Sequence, residues 1–160
     1  MPPSFVVPDV KEISKMLGTL LGRDVKVAKG DRIRTGARDK YTLGVFVAEN
    51  KDIVGICVTD FPLASNFGAA LSLFPPHKAK QCIDEGEIEA TIWENTLEVY
   101  NVVSRYFHDA HEGMVQLGPT WRDGEQVPVE VRKFMRASTD RVDLVVNING
   151  YGHGAMALIG

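Results

Sequence analysis

The sequence predicts an α+β fold in which a mainly antiparallel β-sheet is packed with three amphipathic helices. The first observation behind this is the order of elements: helix, hairpin, helix, helix, then a run of strands. Segregated order of this kind belongs to α+β proteins, and the β–α–β alternation of a doubly wound sheet is missing. The second observation is size and composition. With 160 residues, 44% hydrophobic and 24% charged, residues 1–160 read as a single ordinary globular domain. No internal repeat, low-complexity tract or long linker interrupts it.

The first helix opens at Asp9, which has capping-box spacing to Glu12. Val10, Ile13, Leu17, Leu20 and Leu21 recur at helical spacing, and Gly22 supplies the stop. A short strand over Val25–Ala28 follows. The next segment, GDRIRTGARDK, is polar, basic and punctuated by glycine, so it reads as an exposed loop or edge strand. Tyr41–Ala48 and Ile53–Thr59 are rich in β-branched residues and flank a four-residue turn, which is a hairpin signal. Asp60 and Pro62 begin a second helix with Leu63, Phe67, Ala70, Leu71 and Phe74 on one face, and Pro75-Pro76 ends it. His77–Asp84 reads as a short helical piece. Strands are then expected near Met114–Leu117, Val127–Phe134 and Val142–Ile148, with Asn149-Gly150 turning the chain into a last strand at Ala155–Ile159.

The longest helical pattern runs from Glu87 to about Ala110. Placed at helical steps, Ile88, Ile92, Trp93, Val99, Val103 and Phe107 fall on one arc and define a core face. Glu94, Glu98, Asn101, Arg105 and His108 fall together on the opposite arc, with Val102 at its margin. Solvation is the plainest account of such a stripe. Asn101 argues for more, because Asn is a poor helix former at a surface position where propensity alone decides. A carboxylate and a carboxamide three residues apart point the same way from a rigid rod. The first can grip a cation in a partner's pocket while the second orients a water.

Composition narrows the partners. The net charge of −3 gives no overall positive field to attract nucleic acid or an anionic membrane. The N-terminus lacks the pattern of a signal peptide, no run approaches a membrane span, and the setting expected is the cytoplasm. Cys57 and Cys82 sit among apolar neighbours and cannot form a disulfide framework or a four-thiolate zinc site. His108 and His111 have i,i+3 spacing near a helix end, but no third ligand accompanies them, so no metal is expected. The segment Gly150–Gly154 resembles a phosphate loop only superficially, since too little chain follows it for the required helix. Lys29, Arg32, Arg34, Arg38 and Lys40 make a local basic loop, either solvated or docked on an acidic surface.

Trp93 to Val103 resembles the phosphatase helix of the CheC/CheX/FliY family of chemotaxis proteins. Glu98 and Asn101 match the family's Glu-x-x-Asn core, and Pro119 stands as the downstream proline 18 residues after Asn101. The opening helix ending in Leu21-Gly22, the hairpin with Val54-Gly55, Phe61-Pro62-Leu63-Ala64 and the terminal hydrophobic strands are similar to CheX over nearly the whole chain. One such helix, where CheC has two, makes the likeness closest to CheX. Two departures stand out: Glu94 occupies an Asp or Ser position, and bulky Val102 and Arg105 flank the polar face where the family often has small residues.

The resemblance implies a CheC-like fold and hydrolysis of the aspartyl phosphate of a CheY-type response regulator. Asn101 would orient the attacking water and Glu98 would pair with the regulator's active-site Lys. Glu94, Val102 and Arg105 would touch the regulator. The chain would need no cofactor of its own, the Mg2+ belonging to the regulator, and a homodimer through sheet edges is implied. The alternative is a non-catalytic CheX-like binding or scaffold domain in a two-component or motility pathway.

Overall fold

A computed structural model of the chain describes residues 5–108, 114–138 and 140–160, with Glu125 described by its backbone alone. Helix α1 (Val10–Leu21) starts where Asp9 accepts a hydrogen bond from the Lys11 backbone N–H at 2.9 Å and stops at Gly22, whose φ of 65° is left-handed. Ile13 and Leu17 on its inner side are fully buried. β1 (Val25–Lys29) follows, then the exposed basic loop, then the hairpin of β2 (Tyr41–Val47) and β3 (Ile53–Asp60).

Asp60 ends β3 and caps α2 (Phe61–Leu71). One carboxylate oxygen accepts from Leu63 N–H and the other from Ala155 N–H, both at 2.9 Å, so a single side chain ties the helix start to the last strand. Burial pushes its pKa up. α3 (Pro76–Glu85) is the short helical piece expected. After α4 (Ala90–Val103) and the four-residue α5 (Arg105–His108) come β4 (Gln116–Trp121), α6 (Val129–Ala137), β5 (Arg141–Ile148) and β6 (Gly152–Ile159).

The strands form one sheet in the order β1-β5-β6-β3-β2-β4, with every neighbouring pair antiparallel. This is the α+β arrangement the sequence predicts. Strand alternation splits the side chains between two cores. Cys57, Met156, Leu158, Leu144 and Val146 face the larger one, beneath α1, α2 and α4. Leu43, Val45, Ile56, Val58 and Ile159 face the smaller one, beneath α6. Both faces of the central strands are therefore covered, which is why β2 and β3 read as nearly unbroken apolar runs.

Three expectations require correction. Val127–Phe134 is not a strand: Pro128 caps helix α6, on which Val131 and Met135 are buried one turn apart. The alternation of Val127, Val129 and Val131 mimics a strand, but Val129 points outward and is 62% exposed. The long helix does not run unbroken from Glu87. It starts at Ala90 and is interrupted at Ser104, whose hydroxyl donates to the Asn101 carbonyl, so Arg105–His108 form a separate turn. The expected end of that helix at Asp109 and Ala110, like His111, lies outside the described residues. Finally, α2 ends at Leu71, short of Phe74, and helices cover both faces of the sheet, so the set exceeds three amphipathic helices.

Candidate functional site

Helix α4 is fastened from within. Ile92, Val99 and Val103 are fully buried, and three polar side chains fix its rotation. The Tyr100 hydroxyl bonds to Thr59 at 2.8 Å and also to Thr42, while the two threonines lie 2.8 Å from each other. Burial raises the Tyr100 pKa well above its usual value, so the phenol keeps its proton and the network stays neutral. Thr96 donates toward the Ala64 carbonyl at 2.7 Å, shared with Ile92 O at 2.9 Å. Asn95 donates to Gly68 O at 3.0 Å and to Ser72 Oγ at 2.8 Å. The last contact demands that α2 and α4 touch closely: a Cβ on Gly68 would stand 2.1 Å from the Ile92 carbonyl oxygen.

The opposite face carries the residues the sequence singles out. Glu94, Glu98, Asn101 and Arg105 are all exposed, and Val102 is half-buried. Among the described residues, the Glu98 carboxylate and the Asn101 carboxamide have no hydrogen-bond or ionic partner within the chain. Asn101 sits in the last turn of α4, where Ser104 holds its backbone carbonyl. A free carboxylate and a free carboxamide thus project side by side from a helix that cannot easily roll.

Val102 and Arg105 lean toward α1 rather than simply flanking this face. With Tyr106 they line a groove of about 620 Å³ whose other wall includes Met16 and Leu20. Burial raises the Tyr106 pKa, Arg105 pulls it down and Glu12 pushes it up, which places a charge of each sign at the groove. The α1 wall was not legible in the sequence, because nothing in the α1 pattern says which helix its outer margin meets.

A larger cleft of about 680 Å³ lies away from Glu98 and Asn101, between the α3–α4 connection and the end of β4. Trp93 and Trp121 line it, which gives Trp121 a place that the sequence did not. Two cations brace its wall: Lys40 Nζ donates to Gly86 O at 3.2 Å and Arg122 Nη1 to Ile88 O at 3.0 Å. Glu98 and Asn101 line neither of these two clefts; both side chains are exposed beside the groove that Val102 and Arg105 border.

Other candidates resolve structurally. Gly150–Gly154 spans the hairpin between β5 and β6, with Gly150 at φ 86° and Gly152 at φ 131°. Arg23 Nη1 donates to Asn149 O at 3.0 Å and stacks 4.7 Å from the Tyr151 ring, bracing that turn. Cys57 and Cys82 are buried thiols. Among the described residues no group of three or more His, Cys, Asp or Glu could hold a metal ion. Pro119 lies in edge strand β4 where the pairing with β2 is irregular, a position that needs no ladder N–H. No helix among the described residues is long and apolar enough to cross a membrane.

No protein-family profile matches the chain, and no curated protein does. Solved structures do. The FliM middle domain of V. alginolyticus superposes with a TM-score of 0.61 at 9% identity, covering 94% of this chain and 87% of that one. FliM in its complex with SpeE from H. pylori gives 0.62 at 11% identity, covering 94% and 80%. CheX, in a complex with CheY, BeF3 and Mg2+ from Borrelia burgdorferi, gives 0.52 at 13% identity, covering 94% and 97%. These likenesses define a class: an α+β domain with one antiparallel sheet between helical layers. The chain has the CheC/CheX/FliY-type fold, and within that class its overlap with CheX is no greater than its overlap with FliM.

Proposed function

We propose that this domain hydrolyses the aspartyl phosphate of a CheY-type receiver domain. The observation that carries the reading is the free Glu98/Asn101 pair on the outer face of a rotationally locked helix. Asn101 would accept a hydrogen bond from a water and hold it in line with phosphorus. That water's oxygen bonds to phosphorus as the bond to the aspartyl oxygen breaks, and the carboxylate leaves. Glu98 would pair with a lysine of the receiver. Positioning of this sort suffices because phosphoryl transfer asks little covalent chemistry of the protein. The Mg2+ would sit in the receiver, and the cytoplasm is the setting such a partner requires. An exposed pair fits this division of labour, the receiver supplying the pocket.

A second reading is a non-catalytic scaffold. It is favoured by the larger structural overlap with FliM, which has been solved in complexes with FliG and with SpeE, and by the branched bulk of Val102 beside Asn101. Decay of a phosphorylated receiver domain separates the two. Asn101→Ala should slow the stimulated decay by about 100-fold while the melting temperature stays within a degree or so of wild type, because the side chain is exposed. Glu98→Ala should weaken the complex as well as the rate. Equal decay with wild type and Asn101→Ala, using a receiver shown to bind, rejects catalysis and leaves the scaffold.

A further inference from the structure

The layer opposite α4 holds a cluster that the proposed phosphatase chemistry does not use. Arg32 from the basic loop, Arg132 and Arg136 from α6, and Arg141 at the start of β5 line one hollow of about 40 Å³, with Thr35 and Met135. These arginines come from three separate segments, so only the fold brings them together. Two are anchored by the protein. Arg141 Nε donates to Asp143 Oδ2 at 2.9 Å and its Nη2 to Oδ1 at 2.7 Å. Asp143 Oδ1 also accepts the Ile33 N–H at 2.9 Å, which ties the loop to β5. Arg132 gives Nε to Val127 O at 3.1 Å and Nη2 to Gly124 O at 2.8 Å. A guanidinium has five N–H donors, so each keeps some unused. Arg32 and Arg136 are exposed and make no ion pair among the described residues.

Four guanidinium groups therefore share one hollow, where Asp143 is the carboxylate ion-paired with Arg141, in a chain whose net charge is −3. Gathering like charges is unfavourable unless an anion joins them. The backbone carbonyls and Asp143 hold Arg132 and Arg141 in place before any ligand arrives, which lowers the ordering cost of binding. The hollow is about three times the roughly 10–15 Å³ of such space that a single water needs. That is room for the head of one oxyanion. Arginine's planar fork suits phosphate oxygens, and the Thr35 hydroxyl offers a further donor. A compact hollow in an acidic protein is also unlike the extended basic stripe that tracks a nucleic acid.

We infer that the hollow formed by Arg32, Arg132, Arg136 and Arg141 binds the phosphate head of a small soluble phosphate ester or diphosphate. The site lies across the sheet from Asn101 and stands independently of the phosphatase reading. Inorganic pyrophosphate is the probe, titrated by calorimetry into the full chain at low ionic strength. One saturable site is expected. Arg32→Gln and Arg136→Gln should each weaken it about tenfold, the size of one charge-assisted hydrogen bond, and the double variant should abolish it. Neither residue packs in the core, so the melting temperature without ligand should hold. Lys133→Gln, exposed on α6 but outside the hollow, should bind as wild type. The proposal fails if pyrophosphate does not bind, if the double variant binds equally, or if Lys133→Gln loses as much as the arginine variants. Binding of a glutamate-rich peptide or of anionic vesicles through the same arginines, without pyrophosphate binding, would overturn it in favour of macromolecular docking.

Discussion

Helix α4 buries Ile92, Trp93, Thr96, Val99, Tyr100 and Val103, whereas α6, on the other side of the same sheet, buries only Val131 and Met135. The difference is more than area. Inward-facing Tyr100 and Thr96 make directional bonds to the sheet and to α2, and Asn95 adds a third fastening. α6 rests on Val131 and Met135 with half-buried Phe134 packed beside them, and carries charge on its outer side, including Arg132 and Arg136. Dispersion contacts are non-directional and tolerate a helix rolling by some degrees, while hydrogen bonds in a buried setting do not. A side chain that must be aimed belongs on a helix of the first kind. The face bearing Glu98 and Asn101 is on such a helix.

The sharpest way to break the comparison is Gly68→Ala. The added methyl would meet the Ile92 carbonyl oxygen at 2.1 Å and Ile92 Cγ2 at 2.6 Å, and the backbone carbonyl cannot give way without moving α4. Separation of the two helices would also stretch the bonds from Asn95 and Thr96. A loss of about 3 kcal/mol is expected, lowering the melting temperature by roughly 6–12 °C for a chain of this size. Chemical denaturation measures it. A loss below about 0.5 kcal/mol would show that α4 adapts freely, and the claim of a locked helix would fall with it.

How much of this was legible follows the same divide. The two arcs of α4 were readable because Ile92, Val99 and Val103 alternate with Glu94, Glu98 and Asn101 at a clear helical period. Exposure of the candidate pair was thus foreseeable; what it does was not. The fastenings were hidden, since Thr42, Thr59 and Ala64 are partners chosen by tertiary packing and leave no local mark. The interruption at Ser104 was hidden too, for a serine in a helical pattern reveals its bond to the preceding turn only once the backbone is in place. α6 was misread because three valines at spacing two outweighed better signals: Pro128 before the first turn, Glu130 within it and Arg136 in the last. The arginine hollow could be half seen in the basic loop, but its other members come from beyond residue 130.

Paired substitutions on α6 sharpen the contrast at smaller cost. Val131 is 4% exposed and Val129 is 62% exposed. On a helix they face different ways, whereas on a strand they would share a face. Val131→Ala should therefore cost about 2 kcal/mol from lost burial and the cavity left behind. Val129→Ala should stay within about 0.5 kcal/mol of wild type. Equal losses would return this segment to the strand reading and remove the frame that places Arg132 and Arg136 together.

The smallest effect is a gain, and it concerns the support beneath α4. Beyond the end of α2, Leu73 holds φ at 58° while 72% of its surface is exposed. The left-handed conformation costs an L-residue with a β-carbon about 1 kcal/mol or more, and a side chain in water recovers little of that through packing. The turn is nonetheless fixed, because Leu73 N–H donates to Ala70 O at 3.1 Å and Phe74 N–H to Ala69 O at 2.9 Å. Those bonds use backbone alone, so Leu73→Gly should keep them. Glycine adopts this φ without strain but loses more chain entropy on folding, which offsets part of the relief. A net gain of about 0.5 kcal/mol is expected, seen as a rise of one or two degrees in melting temperature. The substitution lies beyond α2's last turn and touches neither the fastenings of α4 nor its outer face, so any Asn101-dependent activity should be unchanged. If stability rises while that activity drops, α4 takes its orientation from the α2–α3 turn as well as from Tyr100, Thr96 and Asn95, and the lock is wider than those three side chains.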